Sequence, residues 1–231
     1  MSAITWDGIG EKLYEAGVDH VVLYPFNSST KLYDAGYAWN GITSISETPS
    51  GGDENALYAD NIKYASLRGT EEYGGTIEAY TYPDEWMECD GSKEVATGVV
   101  IGQQTRKTFG LSYRTKIGND EDGLDHGYKL HLVYGATASP SERSYETIND
   151  SPDAGSFSWE YTTIPIPITT ESGLSAADVA ALKAVSVITI DSTQADATKL
   201  TTLEGMLYGT NGQSGTTAQL PLPDVVISTL S

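Results

Sequence analysis

Two runs of strict alternation dominate this chain. Between residues 105 and 117, Thr105, Lys107, Phe109, Leu111, Tyr113 and Ile117 fall on one side of an extended backbone. Arg106, Thr108, Ser112, Arg114 and Lys116 fall on the other. The pattern resumes as Tyr128, Leu130, Leu132 and Tyr134 against Lys129, His131 and Val133. Successive side chains of a strand point to opposite faces, so two such runs predict a long antiparallel hairpin with one apolar and one wet face. The intervening segment, residues 118–127, is rich in glycine and acid and reads as a long turn rather than a tight one. A two-stranded ribbon is marginal alone. The rest of the chain, or neighbouring copies, must cover it.

The remainder supports a β-rich chain. With 231 residues, 24 glycines and 15 tyrosines, it suits one large domain of strands and turns. The expected fold is mainly β, a β-sandwich or barrel-like domain with a long central hairpin and one or two short flanking α-helices. No internal repeat or low-complexity tract divides residues 1–231.

Charge narrows the partners. The formal net charge is −19, from scarce Lys and Arg rather than an acidic tail. Such a chain repels nucleic acid and anionic lipid at long range. Five of its 13 basic residues sit in the hairpin: Arg106, Lys107, Arg114, Lys116 and Lys129. The lone Cys89 allows no internal disulfide, which fits a reducing cytoplasm. No signal-peptide pattern opens the chain, and no apolar run approaches the ~20 residues of a membrane span.

In chain order, residues 1–17 read as an arm with a turn of helix at 11–15. Strands are expected at 18–24, stopped by Pro25, and at 37–46, with a bulge at Gly41. Residues 47–55, Gly/Pro/Ser/acid-rich, read as a mobile loop. Further strands are expected at 62–68, 73–82, 145–148, 156–168 and 186–191, and residues 95–101 lead into the hairpin. Pro83 opens a short helix at 84–88 that Gly91 ends. Ser175 caps another within 172–184. The strongest helix spans 196–208, with Leu200, Leu203 and Leu207 in one stripe, Asp196 as cap and Gly209 as stop. Residues 211–231 read as an extended tail.

Reactive chemistry is sparse. His126 and His131 lack the partners of a zinc site. Asp120, Glu121, Asp122 and Asp125 lack the register of a calcium loop. Pairs such as Glu71 with Glu72 or Glu85 with Glu88 match a hydrolase only as any acidic chain does. Cys89 follows a helix instead of starting one, the setting of a structural thiol. Trp39 and Trp159 would serve an alternative reading, a secreted carbohydrate-binding β-sandwich. No cofactor and no catalytic residue is expected.

One resemblance runs through nearly the whole chain in order. It rests on Trp6-Asp-Gly-Ile-Gly-Glu-Lys-Leu-Tyr-Glu15, Trp39-Asn-Gly-Ile-Thr43 and Leu57-Tyr-Ala-Asp-Asn-Ile-Lys-Tyr64. It continues through Thr76-Ile-Glu-Ala-Tyr-Thr-Tyr-Pro-Asp-Glu85, Gly102-Gln-Gln-Thr-Arg-Lys-Thr-Phe-Gly-Leu111 and Tyr128-Lys-Leu-His-Leu-Val-Tyr-Gly-Ala136. Ile190-Asp-Ser-Thr193 and Leu220-Pro-Leu-Pro-Asp224 complete it. These residues resemble the major tail proteins, the tail tube subunits of phages with long non-contractile tails that infect Gram-positive bacteria.

The resemblance implies a virion protein made in the host cytoplasm, with no enzyme activity. Six copies would form a ring, and rings would stack into a tube that passes double-stranded DNA without specific binding. Tape measure, tail tip and tail terminator proteins would be its other partners, and no membrane. The hairpin's polar face would line the lumen, or Arg106, Arg114 and Lys116 would pair with carboxylates of the next subunit. Asp120, Glu121 and Asp122 of the turn, with Asp53 and Glu54 of the loop, are the other candidate inter-subunit or lumen contacts.

Overall fold

The computed structural model describes residues 6, 8–145, 147, 154–211 and 215–231. Strands β1 (Tyr14–Asn27), β2 (Leu32–Tyr33), β3 (Tyr37–Ala38) and β4 (Ile42–Glu47) come first. Then β5 (Ser50–Gly51), β6 (Glu54–Ala59), β7 (Ile62–Arg68) and β8 (Glu71–Glu72) lead away and back to β9 (Gly74–Ala79). Helix α1 (Trp86–Asp90) precedes β10 (Lys93–Ala96), β11 (Val99–Ile101), β12 (Phe109–Asn119), β13 (Gly123–Ala138) and β14 (Phe157–Thr163). Helix α2 (Ala176–Ala181), β15 (Val187–Asp191), α3 (Ala197–Tyr208) and α4 (Pro223–Leu230) follow. The chain is mainly β. Its principal sheet is antiparallel, in the order β2-β1-β12-β13-β14-β9-β4, with β15 beside β13 and β3 beside β1.

The expected hairpin is the centre of that sheet, but it differs in two ways. Its strands pair out to Asn119 opposite Gly123, so only Asp120, Glu121 and Asp122 connect them. The glycines that suggested a long turn serve close packing. A Cβ on Gly118 would lie 2.4 Å from the Tyr14 ring, and one on Gly127 would lie 2.6 Å from the Thr193 methyl. The second difference is that neither face is wet. Leu111 sits opposite Val133 and Ser112 opposite Leu132, so the apolar sets of the two strands point to opposite sides. Each side has its own core.

On the first side the sheet curls until β4 approaches β1, and Trp39, just after β3, donates its N–H to Val21 O at 2.8 Å. Phe109, Leu111, Tyr113, Val133 and Ala136 meet Trp39, Ile77, Trp86, Trp159 and Tyr161 there. The rings pack edge to face or tilted, with Trp39–Trp86 at 4.6 Å and Trp86–Phe109 at 4.9 Å. On the second side Leu130, Leu132, Tyr134, Val22 and Tyr24 lie under Leu200, Leu203 and Leu207 of α3 and Val226 of α4. The α3 stripe, the Asp196 cap on the Thr198 and Lys199 N–H groups and the Gly209 stop follow the sequence reading.

Several boundaries are corrected. The expected helical turn at 11–15 gives way to β1, which starts at Tyr14. Pro25 does not stop β1, because β3 pairs with it up to Leu23 and β2 only from Phe26, leaving the missing N–H between two partners. The single strand expected at 37–46 is two, broken at Gly41 (φ +78°). Residues 95–101, which lead towards the hairpin, belong to a small ribbon, β10–β11, turning at Gly98 (φ +75°). The C-terminal tail is not extended: Pro223 stands at the start of α4, where its lost N–H costs nothing. Asp224 fixes that start by accepting from Thr169 N and Oγ1 at 2.8 and 2.7 Å. Four α-helices are present among the described residues instead of one or two. Part of the strand expected at 145–148 and part of the tail fall on residues outside the described set, and Tyr145 and Thr147 lie in no strand.

Leu203 is fully buried between α3 and the sheet. Leu203→Ala should lower unfolding free energy by about 2–5 kcal/mol, through lost transfer energy and a residual cavity, as read by chemical denaturation.

Candidate assembly surface

The residues between β4 and β9 form an arm. Local chemistry explains why it is a ribbon instead of the expected mobile loop at 47–55. Asp60 and Asn61 both take positive φ, +52° and +62°, and make a two-residue turn. That turn matches the twist of flanking strands, and Asp and Asn tolerate the left-handed region. β6 and β7 then pair, and β5 pairs with β8. Gly51 (φ +79°) bends the ribbon where a Cβ would sit 2.4 Å from Thr70 O. The Asp60-Asn61 pair between apolar runs was the signal that sequence reading passed over.

The arm is amphipathic. Cross-strand pairs place Leu57 with Ala65, Ala59 with Ile62 and Asn55 with Leu67. Glu54 with Arg68, Ala56 with Ser66 and Tyr58 with Lys63 take the alternate positions. Lys63 pairs with Glu54 along that second face, and this bond holds the exposed Glu54 carboxyl below its usual range. Leu57, Tyr58, Ile62, Tyr64 and Leu67 are all exposed, the two tyrosines at 73%. Asp53 stands at the bend, where its carbonyl accepts from Gly69 N at 3.2 Å.

The arm's root is rigid. Tyr113 Oη donates to Glu47 at 2.7 Å, and the Tyr113 and His131 rings stack at 4.7 Å. His131 also contacts Thr115 Oγ1 at 3.0 Å and lies 3.6 Å from Glu47. Thr163 N and Oγ1 donate to Tyr73 O at 3.1 and 2.7 Å, and Thr48 N donates to Gly74 O at 2.8 Å. Burial pushes the Tyr161 hydroxyl up to about 12. Burial also raises the Tyr73 hydroxyl, with Tyr161 and Glu47 adding to it and a bond from Tyr113 opposing it, and raises the Tyr113 hydroxyl, with Tyr73 and Glu47 adding to it, so all three stay protonated.

The hairpin tip is organised by Asn119. Its Oδ1 accepts from the N–H groups of Glu121 and Asp122, and its Nδ2 donates to Gly10 O at 3.4 Å. Gly10 N returns a bond to Asp120 at 3.0 Å, Lys12 lies 3.7 Å from Asp120, and His126 lies 3.2 Å from Asp122. Asp120 and Asp122 are therefore engaged within the chain. Glu121 and Asp125 stay exposed.

The basic candidates separate. Arg114 lies under α3, with Nε 3.1 Å from Asp19, a guanidinium nitrogen 3.9 Å from Glu204 and its plane over Tyr128 at 4.7 Å. Burial pulls the Asp19 carboxyl upward, but bonds from Arg114 and His20 outweigh it and hold it below the usual range. The hairpin's polar face is thus covered by a helix around Arg114 and is not a free lumen wall there. Lys116 is exposed nearby. Arg106 sits at the far end of the hairpin, before β12. The structure brings none of the three together with Asp53 or Glu54.

The other candidate chemistries are placed as follows. Trp39 and Trp159 are 3% and 1% exposed inside the first core and offer no free ring face to a sugar. Cys89 is buried on α1, and burial pushes its thiol up to about 12. Among the described residues, no group of three His, Cys, Asp or Glu side chains is disposed to hold a metal. Among them too, no helix is long and apolar enough to cross a membrane.

Comparison with protein-family models and with curated proteins gives no match to this chain.

The arm root carries a pH dependence. Burial lowers the His131 pKa, with Glu47 and Glu15 offsetting part of the effect and Lys129 adding to it. The unfolded chain takes the proton near 6.5, before the folded one does, so stability is full above that pH and declines as pH falls below it. Thermal midpoints should drop on acidification below about 6.5. His131→Phe, which keeps the stack on Tyr113, should flatten that slope.

Proposed function

We propose that this chain is a structural subunit that polymerises with copies of itself, as the tail tube subunit of a long non-contractile phage tail. One observation carries the reading: both cores are closed within the chain, yet large apolar side chains stand exposed on three projections. Trp6, Ile9 and Leu13 precede β1; Leu57, Tyr58, Ile62, Tyr64 and Leu67 line the arm; Val95, Val99, Val100 and Ile101 form the β10–β11 ribbon. A lone two-stranded ribbon is marginal, and exposed apolar ribbons are an aggregation hazard unless a defined partner covers them. A second copy of the chain is the partner always present with it.

The rest of the chemistry fits a passive conduit. At net charge −19, a ring of copies presents carboxylate-rich walls that repel phosphate and let a duplex slide. Hexameric rings, the tape measure, tail tip and terminator partners and a place in the virion come from the resemblance of the sequence. The rigid Glu47–Tyr113–His131 root supports the reading from another side, because a projection that must meet a neighbour at a fixed angle needs a fixed base.

The test is assembly of the full chain. Sedimentation and negative-stain electron microscopy should show rings or tubes as protein concentration rises, alone or on a tail tip complex. Leu57→Asp combined with Ile62→Asp should keep the protein monomeric with its melting temperature unchanged, since neither side chain touches a core. A wild-type protein that stays monomeric at every concentration and salt, with or without the tip complex, overturns the proposal.

A further inference from the structure

The two ends of the central hairpin carry opposite chemistry. Before β12, a groove of about 540 Å³ lies between α1, the end of β1 and residues 104–108. Lys93, Arg106 and Lys107 line it against one carboxylate, Glu88. Three of the chain's 13 basic residues meeting in one groove is a concentration of positive charge in a protein of net charge −19. Lys107 is shared between Asp34 at 3.4 Å and Glu88 at 3.6 Å. The other two cations are uncommitted. Lys93 is exposed and pairs with no carboxylate among the described residues. Arg106 has a buried Nε without a hydrogen-bond partner among them. Gly91 (φ +79°) makes room for that side chain, since a Cβ there would lie 3.2 Å from Arg106 Cζ.

At the other end of β12, about 30 Å away along ten residue steps, is the tip. There Glu121 and Asp125 are exposed carboxylates that pair with no cation among the described residues. The apolar surroundings match as well. Ile9, Leu13 and Leu124 stand exposed around the tip, and Val95, Val99, Val100 and Ile101 stand exposed beside the groove. Two free anions with apolar neighbours lie at one end, and two free cations with apolar neighbours at the other.

We propose that the Lys93/Arg106 groove receives the Glu121/Asp125 hairpin tip of a second copy, joining copies head to tail along the hairpin axis. The proposal rests on the self-assembly reading above and adds its polarity and its contact residues. A contact between two different patches is heterologous and propagates. The apolar flanks at both ends suit a protein segment, since a second copy can bury them and a nucleic-acid backbone cannot. The paired charges are partly exposed, so the contact weakens with salt and sets register more than it sets affinity.

Reciprocal charge reversal tests this. One variant carries Lys93→Glu and Arg106→Glu, the other Glu121→Lys and Asp125→Lys. Each alone juxtaposes like charges in every contact and should raise the concentration needed for assembly about tenfold or more. An equimolar mixture alternates matched ends and should return to near the wild-type concentration. Circular dichroism and melting establish that both are folded. The neutral versions, Lys93→Gln with Arg106→Gln and Glu121→Gln with Asp125→Asn, should shift assembly in the same direction by less. Wild-type tubes with folded variants that assemble as wild type, or a mixture that does not recover, overturn this contact and leave the assembly reading standing. Wild-type tubes unaffected by the variants, with Arg106-dependent binding of inorganic phosphate, make the groove a free anion site and also overturn it. A wild-type chain that never assembles overturns both.

Discussion

The fold depends on one constraint: the β12–β13 hairpin is apolar on both faces, one carrying Phe109, Leu111 and Tyr113 with Val133, the other Leu130, Leu132 and Tyr134. Leu111 and Tyr113 need a cover on one side, and Leu130, Leu132 and Tyr134 need one on the other. A single sheet cannot supply both. The chain answers by curling β14, β9 and β4 round the first face, with Trp39, Trp86 and Trp159 filling the interior, and by laying α3 and α4 over the second. Small residues keep the two layers close: a Cβ on Gly110 would lie 2.4 Å from Leu220 Cδ2 and 2.9 Å from the Tyr33 ring. Tyr24, buried in the second core, ties the layers by donating to Leu207 O at 2.8 Å.

With the body closed in this way, the projections stand apart from it energetically. The arm joins the body only where β4 and β9 meet, and there the tyrosine, glutamate and histidine cluster is desolvated and bonded. Beyond that root the side chains are exposed and the pairing is two strands wide. The division is between a body that is complete within one chain and extensions that bury almost nothing. It is the basis on which we read the molecule as a building unit rather than an isolated binder.

Much of the core was legible from periodicity. The α3 stripe, the Ser175 and Asp196 caps, β7 and the two alternating runs of the hairpin are local signals, and local chemistry decides them. The hairpin's two-sidedness was not legible. Alternation reports which residues share a face of one strand, while the register between strands, set by Leu111 opposite Val133, decides whether the two apolar sets coincide. The arm was misread because Gly51, Gly52 and Pro49 look like a loop, whereas the Asp60-Asn61 turn ten residues on makes a ribbon of what flanks it. Residues 211–231 read as an extended tail, whereas Pro223 opens a helix within them. Among the candidate contacts, the acidic tip could be named from sequence, but which carboxylates are free could not. That depends on Gly10, Lys12 and His126 arriving from elsewhere.

The outer cover of the hairpin comes from the last helices, and this orders events during synthesis. β1 pairs with β12 across a separation of about ninety residues, and the sheet cannot form until both have left the ribosome. Even then Leu130, Leu132 and Tyr134 face water until Leu200, Leu203, Leu207 and Val226 are translated. An unfinished chain therefore displays a greasy sheet and lacks its final shape. The helical lid is the closing step of folding, and only a chain translated through α4 can bury both faces of its hairpin.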